Sequence, residues 1–526
     1  MSNIIGLNYG SHDNGVSLVI DGKLVCAIEE EKMTGVKACY TTFNKPDKAL
    51  AHIEKNYGVT LENCDSIAAP NPYYREFIKN NYHIAHKFFS YSHHDCHTIG
   101  SYLTSGFSGK VISLSHDGKG YRSRGKLYLC EDGNLDEVNS QHIPTTASLA
   151  GIWASATNSL GWKMLKDEGK VVGLAAHGKM DEQIYGWLSQ CIYYDKFNFK
   201  PSNWESLYHY IFDMYQIQRF SDDEFRKNFA YTLQKFTEDI FREYLEDISK
   251  KFPDYRKLCL SGGLFANVKL NQHINSLDLF DEIFIHPSMG DGGLATGAAL
   301  ICAHERGEIL LPQRLENSFL GQSHSNSEWQ NVLEPHLDKI EIDNFSHSKV
   351  AGLIHSGEVI GCFFGKTEYG PRALGNRSIV VRPTDPDTHR KLNEKLKRTE
   401  VMPFAPSVLY EEANTVFECD KSHYTAEFMT LCFNTRPEWV DKIPAVIQKL
   451  DTSARPQLVH KDRNPNFHSI ISEYQKLSGI PVVLNTSFNA HGEPINNYPH
   501  QVIKHLMDGV VDYIVTEDFI ISRKIS

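Results

Sequence analysis

Long apolar runs are missing from this chain of 526 residues. No stretch approaches the ~18 residues that span a bilayer, and no basic segment followed by an apolar one opens it, so neither a membrane helix nor a secretory leader is expected. The eleven cysteines are scattered, odd in number and without a CxxC pair. That argues against a disulfide framework and for a reducing, cytoplasmic setting. Solenoid repeats and low-complexity tracts are also lacking. So is an excess of positive charge: the formal net charge is −11, which disfavours a broad footprint on polynucleotide, although a local basic groove fits inside an acidic total. What remains is an ordinary globular composition, 41% hydrophobic and 23% charged, in a chain too long for one core and suited to two or three domains.

Against that background Gly365-Lys-Thr-Glu-Tyr-Gly-Pro-Arg-Ala-Leu-Gly-Asn-Arg-Ser378 stands out. Lys366, Arg372 and Arg377 lie among three glycines that permit close backbone approach, and arginine binds phosphate or carboxylate bidentately. An exposed turn with surface charges is the plainer alternative. Further basic residues at Arg382, Lys397 and Arg398, beside the stiff run Met402-Pro-Phe-Ala-Pro406, favour an anion site.

The hydrophobic pattern places strands at Ile4–Asn8, Val16–Ile20 and Leu24–Ile28, with an Asp21-Gly22 hairpin between the last two. Strand followed by a glycine turn recurs at Val111–Gly118 and Leu258–Gly263. Such turns present N–H groups to phosphate, and three in order carry more weight than one. Apolar residues at Phe225, Phe229, Leu233, Phe236, Ile240, Tyr244 and Ile248 have helical spacing and predict a core helix. The polar, irregular stretch from Glu308 to Asn331 is the expected domain connection, dividing residues 1–330 from 345–526.

His93 and His97, four apart, face the same side of a helix and can share a metal. From the spacing alone, a solvated helix with satisfied histidines is the commoner explanation. His12-Asp13 falls in the first turn, where a neutral imidazole can take a proton from a hydroxyl and an Asx-type turn is the alternative.

GKTEYGPRALGNRS followed by MPFAPSVL resembles the signature of the carbamoyltransferase family of nodulation-factor and antibiotic O-carbamoyltransferases. The resemblance runs from Ile4–Asn8 and His12-Asp13 to Asn485-Thr-Ser-Phe-Asn489. It implies an α/β protein with an N-terminal actin/hexokinase-like (Kae1-like) domain and a C-terminal YrdC-like domain. It also implies a metal held by His93, His97, Asp117 and Asp291, a set without thiolate that suits Fe(II) first, or Mn or Zn. Adenylate binding carries over to Glu168, Lys170, Gly173, Gly262, Gly263, Asn267 and Asn271. Carbamoyl phosphate and Mg-ATP carry over to Lys366, Arg372, Arg377, Lys397, Arg398, Arg455, Asn485, Ser487 and Asn489, with His12 and Asp13 catalytic. The chain departs from the family pattern at His177, Lys449, Thr452 and Ser453, where the pattern has Tyr, His, Gly and Thr.

The implied reaction makes carbamoyl-adenylate and passes its carbamoyl group to a hydroxyl. The acceptor is a sugar or natural product, or the hydroxymethyl group of 5-hydroxymethylcytosine in DNA. Threonylcarbamoyl modification of tRNA and a nucleotide-binding regulator on an actin-like fold are the alternatives.

Overall fold

A computed structural model of the chain describes residues 2–9, 12–37, 46–70, 82–118, 120, 123–138, 148–201, 222–396 and 403–524. Contacts divide the chain into two compact units. The first comprises Met1–Ala27 and Tyr40–Leu315, the second Ile28–Cys39 and Glu316–Ser526. Composition gave no sign that the short N-terminal piece belongs with the second unit.

The first unit contains two five-stranded sheets that repeat one plan. Asn3–Asn8 (β1) pairs antiparallel with Gly15–Ile20 (β2). Lys23–Glu29 (β3) follows β2 through Asp21 and Gly22, both at positive φ as a two-residue hairpin turn requires. β1 also pairs in parallel with Ser66–Pro70 (β4), and β4 with Phe88–Tyr91 (β5), giving the order β3-β2-β1-β4-β5. Lys110–Ser115 (β6), Leu127–Glu131 (β7) and Asn134–Glu137 (β8) form a second antiparallel meander. After a separate hairpin, Ile192–Asp195 (β9) with Asn198–Pro201 (β10), β6 pairs in parallel with Lys257–Ser261 (β11), and β11 with Glu282–Ile285 (β12). The order β12-β11-β6-β7-β8 mirrors that of the first sheet.

The helix expected around 225–248 spans Asp223–Lys251 and buries Phe229, Leu233, Phe236, Ile240, Tyr244 and Ile248 in the core. Helices His93–Ser105 and Leu294–Glu305 meet through glycines. A Cβ on Gly297 would lie 1.9 Å from the Cys96 carbonyl oxygen, and one on Gly100 2.7 Å from Gly297 Cα. Only glycine lets these backbones come so close.

The second unit is built on an eight-stranded mixed sheet. Its centre holds Ile360–Phe363, Arg377–Val381, Val482–Ser487 and Ala405–Leu409, neighbours paired antiparallel in that order. The glycine-rich segment after residue 364 is therefore the long turn of a hairpin in the middle of the sheet. Among the described residues no helix is long and apolar enough to cross a membrane, and the ten described cysteines are free and buried.

Candidate metal centre and anion loop

His93 and His97 open their helix on the face toward Asp117, in the turn after β6, and Asp291, just before the helix Leu294–Glu305. His93 Nε2 lies 3.2 Å from Asp117 Oδ2 and 3.5 Å from Asp291 Oδ1. His97 Nε2 lies 3.4 Å from Asp291 Oδ1 and 4.0 Å from Asp117 Oδ2. One donor atom from each residue falls within 4.8 Å of all the others, and all four residues are buried. Fit to a divalent cation shows in the donors themselves. His97 Nε2 is buried without a hydrogen bond, and each of the two enclosed carboxylates turns an oxygen to the imidazoles, the N2O2 arrangement that such a cation satisfies.

The supports of this cluster are backbone-fixed. Asp117 Oδ1 accepts from the Gly263 N–H at 2.7 Å, and a Cβ on Gly263 would sit 2.8 Å from that oxygen. Asn8 Nδ2 donates to the carbonyls of Asp13 and Asp291 at 3.0 and 3.1 Å. His94 points away from the cluster and its Nε2 bonds the Ser123 carbonyl at 2.7 Å, pinning the turn that carries Asp117. Burial drives the His94 pKa down to about 3, so it serves as a neutral donor.

Burial works against charge on all these groups, and their mutual attraction overcomes it. Asp117 is held well below the usual carboxylate range by the hydrogen bond from His93 and the charges of the neighbouring imidazoles. Asp291 is lowered chiefly by His93. His12 extends the cluster, with Nε2 3.6 Å from Asp291 Oδ2 and Nδ1 3.0 Å from Asp13 Oδ2. Although desolvation opposes it, the Asp13 hydrogen bond and the Asp291 charge push His12 up to about 10. These two carboxylates therefore favour the protonated form of His12, against the neutral imidazole expected from sequence.

Of the other residues expected at the nucleotide, Gly262 and Gly263 form the turn after β11, Gly262 at φ 96 with its Cβ position 2.4 Å from the His116 carbonyl oxygen. The asparagine amides are spent inside the fold. Asn267 caps the helix Val268–Ser276 through Oδ1 and donates to Gln234 at 2.8 Å, while Asn271 donates to the Phe265 carbonyl at 2.8 Å. Lys170 pairs with Asp167 at 3.0 Å, and Gly173 is buried in the helix Glu168–Ala175. Burial raises the Glu168 pKa, and the His12 charge acts on it in the opposite sense.

In the second unit the 365–378 turn is tied down by its own side chains. Arg377 is fully buried, stacks 3.6 Å over the Phe363 ring, and spends its guanidinium on the carbonyls of Phe364, Gly365 and Asn376. It therefore shapes the turn instead of facing an anion. Asn485 is likewise internal, donating to Ala373 O, Ser407 Oγ and Gln457 Oε1, and Asn489 donates to the carbonyls of Ala490 and Glu493. Lys366, Arg372, Arg455 and Ser487 keep partial exposure. Gln457, two residues after Arg455, donates to the carbonyl of Leu374, two residues after Arg372, at 2.7 Å. Lys397 and Arg398 lie outside the described residues. Thr452 stands at φ 55 where the family pattern has glycine, so this β-branched residue keeps a left-handed backbone at a steric cost.

Residues 70–300 match the model of the carbamoyltransferase N-terminus and residues 351–523 that of the carbamoyltransferase C-terminus. The chain belongs to the carbamoyltransferase family. Its relatives include an uncharacterized protein of Methanocaldococcus jannaschii, 34% identical over 83% of this chain and 74% of the relative. Nodulation protein NolNO of Sinorhizobium fredii is 29% identical over 98% of this chain and 79% of its own. Nodulation protein U of that species is 26% identical over 92% and 93%. Among solved structures, HypF of T. kodakarensis aligns with a TM-score of 0.38 at 14% identity, covering 59% of this chain and 50% of its own. That superposition is too loose to carry a functional argument.

This carbamoyltransferase uses residues that its motifs did not single out. Asn8 joins the first turn to the Asp291 turn, and Gly100 and Gly297 set the helix spacing that brings the histidines to Asp291. For Gly100 the sequence signal is a glycine three residues after His97 in the same helix. Glu368 was visible as a lone carboxylate among the basic residues of the 365–378 turn.

Proposed function

We propose that this carbamoyltransferase works through carbamoyl-adenylate, made in the second unit, which we read as YrdC-like, and consumed in the first, which we read as an actin/hexokinase-like domain of Kae1 type. The mirrored five-stranded sheets, with the Asp117 and Gly262–Gly263 turns at the ends of β6 and β11, support the second of these assignments. In the second unit Lys366, Arg372 and Arg455, with Ser487, hold the phosphate of carbamoyl phosphate beside Mg-ATP. Water takes the phosphoryl group of carbamoyl phosphate, releasing inorganic phosphate and carbamate, and a carbamate oxygen then attacks the α-phosphorus of ATP and expels pyrophosphate. In the first unit the Gly262–Gly263 turn and Glu168 hold the adenylate. The acceptor oxygen attacks the carbamoyl carbon, AMP leaves, and His12, oriented by Asp13, takes the hydroxyl proton.

The observation that carries this reading is the buried His93, His97, Asp117 and Asp291 cluster with His12 against it. A divalent cation held there, Fe(II) by our reading, supplies Lewis acidity at the carbonyl or phosphate oxygen. With such a cation bound, the charges of Asp117 and Asp291 would be offset and His12 would return toward the neutral imidazole that a base requires. The acceptor is a hydroxyl of a sugar or natural product, or the hydroxymethyl group of 5-hydroxymethylcytosine in DNA. A screen of such acceptors for the mass gain of one carbamoyl group distinguishes them.

The division of labour is tested by following pyrophosphate release and carbamoylated product together. Arg372→Ala removes a charge-assisted contact of ~1.5–3 kcal/mol and weakens carbamoyl-phosphate use roughly ten- to hundredfold. His12→Ala lowers product by ~10²-fold or more and leaves pyrophosphate release standing. Loss of pyrophosphate release in His12→Ala, or its survival in an Arg372→Ala protein blocked in transfer, would contradict the assignment.

A further inference from the structure

The turn between Gly365 and Ser378 already contains an anion. Glu368 is 1% exposed, and its Oε1 accepts from the backbone N–H groups of Leu374, Asn376 and Arg377, each at 2.9 Å. Three converging N–H groups form the concavity that binds phosphate in many loops. Here it is filled from within.

The opposite side of the turn is held by a buried cation. Lys32, 3% exposed, donates through Nζ to the carbonyls of Glu368 and Gly370 at 2.6 and 2.8 Å and pairs with Glu29 Oε2 at 2.9 Å. Glu29 Oε1 in turn accepts from the Gly370 N–H at 2.6 Å. Both residues come from Ile28–Cys39, the N-terminal piece that packs within the second unit. Arg372 therefore stands between two fixed points, Gly370 clamped by Lys32 and Glu29, and Leu374 clamped by Glu368.

We propose that Lys32 and Glu368 are positioning residues for the donor half-reaction. They fix the backbone on either side of Arg372 so that its guanidinium is presented without reorganisation. Because Glu368 occupies the N–H groups, the donor phosphate is met by the side chains of Lys366 and Arg372 and not by backbone amides. The proposal rests on reading this turn as the carbamoyl-phosphate site.

The full-length protein provides the test, with pyrophosphate release titrated against carbamoyl phosphate at saturating ATP. Lys32→Met and Glu368→Ala should each raise KM for carbamoyl phosphate roughly ten- to hundredfold, as expected when a binding group is displaced by about an ångström. The metal content of the first unit should stay at the wild-type level, and the circular dichroism of the whole protein, which reports folding of both units, should be unchanged. Glu368→Gln keeps an oxygen for the three N–H groups and should recover most of the wild-type KM, and added formate should partly restore Glu368→Ala by refilling the cavity. A general loss of stability would lower kcat and metal content together and respond to neither, and that pattern would overturn the proposal. If Arg372→Ala raises KM while Lys32→Met and Glu368→Ala leave it at the wild-type value, the positioning role is wrong and the donor site stands. If Arg372→Ala leaves KM unchanged, the donor site itself is misplaced, and the proposal falls with it.

Discussion

Three histidines crowd the start of the helix His93–Ser105, with ring centroids 4.9 to 6.4 Å apart, and sequence discloses their parts unequally. His93 and His97 were legible from their spacing, because an interval of four fixes a common face whatever the rest of the fold does. His94 was not, since its partner is a carbonyl in a turn 29 residues away. For His12 the pull of Asp291 toward the protonated form was not legible, because that carboxylate lies far along the chain. At this scale the decisive variant is His97→Ala. The remaining three donors leave an incomplete set, so chelator-free protein should drop from about one ion per chain to a small fraction of that. Transfer should fall by more than the 10- to 100-fold typical of losing a group that merely supports a ligand. Elemental analysis alongside a transfer assay checks both, and full metal with full transfer would remove His97 from the site.

Among elements, strands and helices followed from periodicity. Short apolar runs bounded by turn residues gave β1 to β3, of which β1 and β2 are buried nearly throughout, and helical spacing gave the core of Asp223–Lys251. How closely two helices approach is a different kind of information. The helices His93–Ser105 and Leu294–Glu305 close on Gly100 and Gly297, and nothing in either segment's own pattern says that they are neighbours. Their spacing sets the distance from the histidines to Asp291. Gly297→Ala puts a methyl 1.9 Å from the Cys96 carbonyl oxygen, an overpacking that costs about 1–3 kcal/mol. Because the Cys96 backbone lies between the two histidines, metal affinity should decline more than overall stability does. Denaturant unfolding paired with metal titration separates the two effects, and an unchanged metal affinity in a destabilised protein would show that the helix spacing does not govern the centre.

For the whole molecule, the domain connection expected between Glu308 and Asn331 contains the division at Leu315 and Glu316, since polar, proline-bearing chain is poor core material. The assignment of Ile28–Cys39 to the second unit was not readable, because the contacts that hold it are carried by Lys32 and Glu29 to residues more than 330 positions away. One consequence is measurable. Leu310 and Leu311 are exposed at 72% and 56%, so a protease site inserted between them should be cut readily in the native protein. The two fragments should nevertheless co-elute on size exclusion, because the first retains a piece of the second unit. Fragments that part without denaturant would contradict the observed packing.

The same interleaving imposes a timetable on synthesis. Lys32 and Glu29 leave the ribosome well ahead of Gly370 and Glu368, which follow more than 300 residues later. At ~5–20 residues per second the early segment waits about 15–70 s for the backbone it is built to clamp. During that interval a lysine and a glutamate destined for a dry interior remain in water, where each is well solvated, so the delay carries little hazard. An apolar segment in the same place would have spent that time exposed and prone to aggregation. The polar character of the clamp therefore suits the order in which the chain is made as well as the turn it finally holds.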